Sequence, residues 1–301
     1  MEIVKRTNVI YEFSPDNEPV ISVNPGTTIL VETNDCLGGQ LRDENDSVTS
    51  VDFSKINPAT GPIELKGAMP GDILAVEILD IELAAQGFMA AIPGEGAFDF
   101  IKEPATKIIP VSQGKVMFTP SLSFPVHPMI GVIGVSPRDR SVVCGEIGDH
   151  GGNMDAKVIC NGARVYFLVR KEGAMLALGD VHAAMGDGES LLCGVEINAK
   201  VKLKLDLIKS PSILPQRPVL ELGDKFMTIA HGETLDQAAS TALHDMADLI
   251  WQKNKMELTE IAMLISAVGD LKVCQIVNPQ KTARVEMPKS ILDFPNRPIL
   301  P

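Results

Sequence analysis

Residues 200–207 read KVKLKLDL, an alternation that puts Val201, Leu203, Leu205 and Leu207 on one face and Lys200, Lys202, Lys204 and Asp206 on the other. A period of two belongs to a β-strand, whose successive side chains point to opposite sides. One charged face also means one face in water, which is the habit of antiparallel sheets. The runs TTILVET (27–33), DILAVEILDIEL (72–83), GVIGVS (131–136), RVYFLV (164–169) and SLLCGVEI (190–197) read the same way, each bounded by Pro, Gly or Asp. The expected body, residues 1–230, is therefore mainly β, with a sandwich-like or barrel-like arrangement. A faint echo between GAMPGDI (67–73) and GAMLALGDV (173–181) points to duplicated β units.

After residue 230 the pattern changes. Leu235, Ala238, Ala239, Ala242, Met246, Leu249 and Ile250 recur at three and four residues, predicting an amphipathic helix with Thr234 as its N-cap. LTEIAMLISAVGD predicts a second, mostly buried helix ending near Gly269, then a strand LKVCQIVN and an irregular Pro-rich tail. Residues 231–301 thus form a C-terminal α/β layer of helix, helix and strand, packed on the body as one compact unit. His244 falls on the surface of the first helix.

The 301 residues are 45% hydrophobic, enough for a sizeable core. Twenty-seven basic against 39 acidic residues give a formal charge of −12, which repels a phosphate backbone and argues against nucleic acid as a partner. A 4% aromatic content with one tryptophan, Trp251, argues against carbohydrate or base stacking. The five cysteines are odd in number and include no C-x-x-C, which fits a reducing cytoplasm and neither a disulfide framework nor a cysteine-rich zinc site. No signal-peptide pattern and no run of about 18 apolar residues occurs, so no membrane association is expected.

The chemistry-bearing residues cluster in glycine-framed stretches. In GDVH, Asp180 and His182 are two apart, so on a strand both side chains leave the same face and can converge on one ion. GDGE adds Asp187 and Glu189, and CGVEIN adds Glu196 among apolar neighbours. In CGEIGDHGGNMD the glycines permit an irregular loop around Asp149 and His150. Gly151 and Gly152 would offer backbone N–H groups to an oxyanion, with Asn153 and Asp155 fixing the loop or joining the site. ETNDCLGGQL supplies Asp35 beside another Gly-Gly pair. Three such loops suggest one site. His127, held between prolines, would line the pocket or end a strand, and His231 is expected to make local hydrogen bonds. There is no G-x-S-x-G elbow, P-loop or dinucleotide fingerprint. Cys144 near Glu146 could be a nucleophile with a carboxylate, but a small apolar cysteine in a strand is usually packing.

The paired HGGNMD and GDVHAAMGDGE, preceded by NPATGPI, GAMPGDIL and HPMIGVIG, resemble the acetamidase/formamidase family. The family motif covers His150, Gly151, Gly152, Asn153 and Asp155, then Gly179, Asp180, His182, Gly186, Asp187, Gly188 and Glu189. The resemblance implies hydrolysis of a short aliphatic amide to carboxylate and ammonia, a β-rich fold, assembly into dimers or larger homo-oligomers, and a divalent metal. Zinc is favoured by the histidine nitrogens and calcium is the alternative. The expected metal ligands are Asp35, His150, Asp180, His182 and Glu196. Glu146 is the expected acid–base residue, Gly151 and Gly152 the oxyanion donors, and His127 and Asn153 the substrate contacts. Hydrolysis of another linear or cyclic amide, or metal binding without catalysis, are the competing readings.

Overall fold

The computed structural model describes residues 1–292, and their architecture is mainly β. The alternating stretch lies in the strand Glu196–Ile208, which pairs antiparallel with Thr27–Thr33 on one edge and with the 19-residue strand Ile73–Ala91 on the other. Val201, Leu203 and Leu205 are fully buried while the intervening lysines stay partly exposed, as the period of two requires. From Ile73–Ala91 the ladder passes through Arg164–Leu168, Val219–Leu222, Lys225–Gly232 and Lys281–Pro288 to Asp270–Gln275, each pairing antiparallel with the next.

A second run of pairings is centred on Leu176–His182, which lies antiparallel between Met129–Gly134 and Ala59–Leu65. Met129–Gly134 carries the short strand Gly151–Asn153 on its other edge. The two runs meet at one residue pair, His182 opposite Glu196. Close by in sequence, Gly188–Glu189 pairs in parallel with Gln275. Strand ends from both runs, and the C-terminal strand Asp270–Gln275, therefore converge on one corner. The two echoing stretches touch through Gly173 N–H, which donates to the Ala68 carbonyl, but one precedes a strand and the other enters one.

Helix α1 (Leu235–Asn254) begins where expected, the Thr234 hydroxyl accepting from Gln237 N–H. Its buried stripe, including Ala242, Met246 and Ile250, packs with Phe226, Tyr166 and Val285 of the sheet. Helix α2 (Leu258–Val268) departs from expectation. Only Ile261 and Ile265 are buried, while Leu258 and Met263 are 64% and 69% exposed, because the helix lies against α1 and the last strand along a single stripe. The tail expected to be irregular begins with the strand Lys281–Pro288, in which Ala283, Val285 and Met287 turn inward. A short helix, Lys289–Leu292, follows it, and residues 293–301 lie outside the described residues. No described helix is long and apolar enough to cross a membrane.

The alternation carries a stability consequence. Leu203→Ala removes a fully buried side chain from between two paired strands and should cost about 2–5 kcal/mol. Lys202→Ala, one residue away on the other face, should stay within ~0.5 kcal/mol. Urea denaturation midpoints of the two variants check the contrast.

Candidate active site

The corner where the sheets meet is built around His182. Its Nε2 lies 2.7 Å from Glu196 Oε1, across the single residue pair joining the two runs, and 3.4 Å from Asp180 Oδ1. Asp180 reaches that position with φ +55°, a left-handed conformation inside a strand. Such a conformation costs a non-glycine residue of order 1–3 kcal/mol and is kept where surrounding structure enforces it.

Gly131, on the neighbouring strand, explains how a second carboxylate fits. A Cβ there would lie 2.5 Å from Asp180 Oδ2 and 2.6 Å from Asp155 Oδ1, so the missing side chain is the space into which both carboxylates turn. Asp155 Oδ2 accepts from the Asn278 amide at 2.7 Å, a contact 123 residues away in sequence. Asn278 is held in turn by its N–H donating to Gln275 Oε1, and Gln275 lies beside Gly188–Glu189. The C-terminal strand and its loop thus close the corner that the body leaves open.

These residues line a cavity of about 110 Å³, with Phe53, Ile56, Phe88 and Leu192 on its apolar side and Asn57, Asn153 and Asn278 among its polar groups. Asp155, Asp180, Glu189 and Glu196 all line it, each no more than 7% exposed, and no Lys or Arg is on its wall among the described residues. Burial disfavours their charged forms, and mutual repulsion adds to it. Burial and the Asp180 charge push Asp155 up to about 7, and burial pushes Glu196 up to about 8. Glu189 is driven well above the usual carboxylate range by burial and by Asp155. Burial opposes a charged His182, but Glu196 and Asp180 outweigh it and raise its pKa well above the ordinary value.

Two trios bring possible ligand atoms within 4.8 Å of one another: Cys36, Asp180 and Glu196, and Asp155, His182 and Glu189. Buried oxygens of Asp155, Asp180, Glu189 and Glu196 have no hydrogen-bond partner, as expected of acceptors arranged for a cation. Nitrogen, carboxylate and thiol donors together fit a divalent ion of borderline softness.

Asp180, His182, Glu196 and Asn153 therefore share the cavity, while six other expected residues lie elsewhere. His150 lines a separate pocket, its ring edge-on to Phe13 at 4.9 Å. Gly152 serves that packing, since a Cβ on it would be 3.1 Å from His150 Nε2 and 2.4 Å from the Glu146 carbonyl. Gly151 and Gly152 are paired on both sides, with Met129–Gly134 and with Ile147–Gly148, so they do not line the cavity as oxyanion donors. Glu146 is exposed and outside the cavity, which Gly145 lines instead. His127 is exposed, its backbone N–H donating to the Ala183 carbonyl. Asp35 Oδ1 accepts from the N–H groups of Leu37 and Gly39, which holds its turn, and it is the next residue, Cys36, that faces the acid cavity. Cys144 is a packing residue, its thiol pushed up to about 12 by burial. Asp187 is taken by the buried Arg284 at 2.6 and 2.9 Å.

Comparison with known proteins identifies the family. The sequence profile of the acetamidase/formamidase family matches residues 4–143 and 140–294, and the chain belongs to that family. Its structure resembles that of an acetamidase from Bacillus halodurans, with 43% identity, a TM-score of 0.94, and coverage of 97% of this chain and 99% of the other. It also resembles a recombinant predicted acetamidase/formamidase from Thermoanaerobacter tengcongensis, with 43% identity, a TM-score of 0.95 and 98% coverage of both chains. A formamidase of Methylophilus methylotrophus is 29% identical over 259 residues, covering 65% of this chain and 63% of that protein. The chain spans less than two thirds of the length of the curated relatives it matches.

Two outcomes follow from the geometry. Gly131→Ala forces a methyl group against Asp180 and Asp155 and should lower stability by about 1–3 kcal/mol. Gly145→Ala, whose Cβ would meet nothing nearer than 3.7 Å, should be close to neutral; chemical denaturation distinguishes them. Burial lowers the His150 pKa from 6.5 to about 4, so the unfolded chain binds more protons between those values. Stability present above pH 6.5 should therefore be lost as pH falls through 4, by up to about 3 kcal/mol from this group. His150→Gln should flatten that part of the stability–pH curve relative to the parent.

Proposed function

We propose that this chain hydrolyses a short aliphatic amide, of the size of formamide or acetamide, to a carboxylate and ammonia, using a divalent cation held at the acid cavity. The observation that carries the reading is the convergence of four buried carboxylates and one histidine on a small cavity with no Lys or Arg among its described lining residues. Four carboxylates outnumber the one imidazole beside them, and the excess needs protons or a cation to compensate it. A cavity of about 110 Å³ is small beside the pockets that hold drug-sized ligands, which suits a molecule of few heavy atoms.

Asp180, His182 and Glu196 are assigned as holders of the ion; ligand atoms of Asp180 and Glu196 converge with that of Cys36, and those of His182 with Asp155 and Glu189. Zinc is favoured over calcium because nitrogen and sulfur donors accompany the oxygens. A divalent ion there supplies polarisation of the amide carbonyl and acidification of a water. Glu196 orients the His182 ring through its contact with Nε2. Asp155 and Glu189, whose carboxylate oxygens come within 4.8 Å of each other, hold a proton between them, as paired carboxylates do. This pair takes a proton from the attacking water as the C–O bond forms and delivers one to the nitrogen as the C–N bond breaks. Asn153 Oδ1, buried and without a partner, accepts from the amide N–H of the substrate, and Phe53 and Phe88 exclude water around its alkyl group. The five cysteines are unpaired, in keeping with a reducing compartment such as the cytoplasm.

The test is ammonia release from formamide and acetamide by purified protein, before and after chelation, with zinc or calcium restored. Activity lost on chelation and regained with one ion is the expected result. Activity that persists with no bound metal removes the ion from the reading, and no ammonia from either amide removes the substrate class. Asp155→Asn and Glu189→Gln should each retain metal and lose about 10²–10⁴ in kcat. His182→Ala should lose metal, and Glu146→Gln should leave turnover intact.

A further inference from the structure

The stretch that carries His150 forms a second polar pocket, of opposite character to the acid cavity. It measures about 280 Å³, and its walls include Arg138, Arg140, Arg170, His150 and His231. Arg138 and Arg140 come from the loop after Met129–Gly134, and Arg170 follows Arg164–Leu168. His150 sits on the turn entering Gly151–Asn153, and His231 lies in Lys225–Gly232. Four separate segments thus direct basic side chains at one space.

The acidic residues on this wall are Asp139 and Asp149. Asp149 already has partners, with its Oδ1 2.9 Å from Arg217 Nε and 3.5 Å from His231 Nε2. Arg217 is also shared with Asp245. The basic groups are less well served. Arg170 Nη2 donates to the Gln216 carbonyl, which fixes the guanidinium, yet its Nε is buried without a hydrogen-bond partner. His150 is 2% exposed, and its Nε2 likewise has none. His231 Nδ1 contacts Gln280 Oε1, so its Nε2, a third buried nitrogen lacking a hydrogen bond, is a donor when the ring is protonated. Buried polar groups are normally satisfied, and a donor left alone costs about 1–3 kcal/mol. A ligand that offers only acceptors supplies what these nitrogens lack, and arginine forks match the oxygens of phosphate and carboxylate groups.

We infer that this pocket binds a small oxyanion, an inorganic phosphate or a short carboxylate, between Arg170, His150 and His231, with Arg138 and Arg140 drawing it in from solvent. The site stands independently of the amidase reading, since it shares no lining residue with the acid cavity. It adjoins that cavity along residues 145–153, where Gly148 and His150 line the pocket and Gly145 lines the cavity. His150 precedes the strand Gly151–Asn153, and Asn153 at the other end lines the cavity.

The experiment is isothermal titration of the full chain, free of amide, with phosphate and separately with acetate, at ionic strength held constant with sodium chloride. A saturable heat with one of these anions is expected. Saturation by phosphate with none by acetate identifies an inorganic oxyanion, and the reverse identifies a carboxylate. Arg138→Ser/Arg140→Ser alters only exposed side chains and should weaken binding ~10-fold or more, about 1.4 kcal/mol. Arg170→Met should abolish the heat, with circular dichroism confirming that the variant is folded. Absence of a saturable heat with both anions, or a heat unchanged in the Arg138→Ser/Arg140→Ser variant, overturns the assignment.

Discussion

Four carboxylates share one buried corner with a single imidazole. Such a group is unstable on its own terms, because each acid removed from water raises the cost of ionising the next. Much of the local structure can be understood as the means of holding it together. Two runs of strand pairing touch at His182 and Glu196, so the contact that joins them is also the contact that orients the ring. Gly131 gives up a side chain so that two acids can face each other, and Asp180 keeps a left-handed backbone to turn toward them. The nearby buried cation, Arg284, is committed to Asp187 and Glu286 and is not on the cavity wall.

The β class was legible because alternation reports directly on which face of a strand is dry. KVKLKLDL fixed one strand, and the bounded apolar runs located several of its partners. The strand Lys281–Pro288 was missed although Ala283, Val285 and Met287 alternate with Arg284 and Glu286, since the prolines beyond it dominated the reading. The mostly buried reading of α2 failed for a different reason. Its apolar content exceeds what one packed stripe can cover, and composition does not tell which side of a helix meets a neighbour.

For the site, the expected residues that share the cavity are Asp180, His182 and Glu196, which lie on strands, and Asn153 from the HGG stretch. Asp180 and His182 needed only the strand period, and Glu196 only its apolar setting. The glycines of the HGG loop have a packing explanation that the sequence does not display: the His150 ring lies against Gly152, and Gly151 and Gly152 sit between two neighbouring strands. Asp155 and Glu189 each close one of the two family stretches, so a signal was present in their position. Cys36 was missed by one residue, because the turn at Asp35 faces its own backbone. Asn278 had no local signal at all, since its partner Asp155 is distant in the chain.

The contact from Asn278 to Asp155 divides the cavity between two kinds of chain. Asp180, Glu189 and Glu196 sit on paired strands and Asp155 lies two residues beyond one, whereas Asn278 sits on a short connection between the strands Asp270–Gln275 and Lys281–Pro288. Insertions and exchanges in that connection reach the pocket wall while leaving the charged corner in place. Over evolutionary time, the range of accepted molecules can therefore drift through the loop while the reaction chemistry, tied to the sheets, is inherited unchanged.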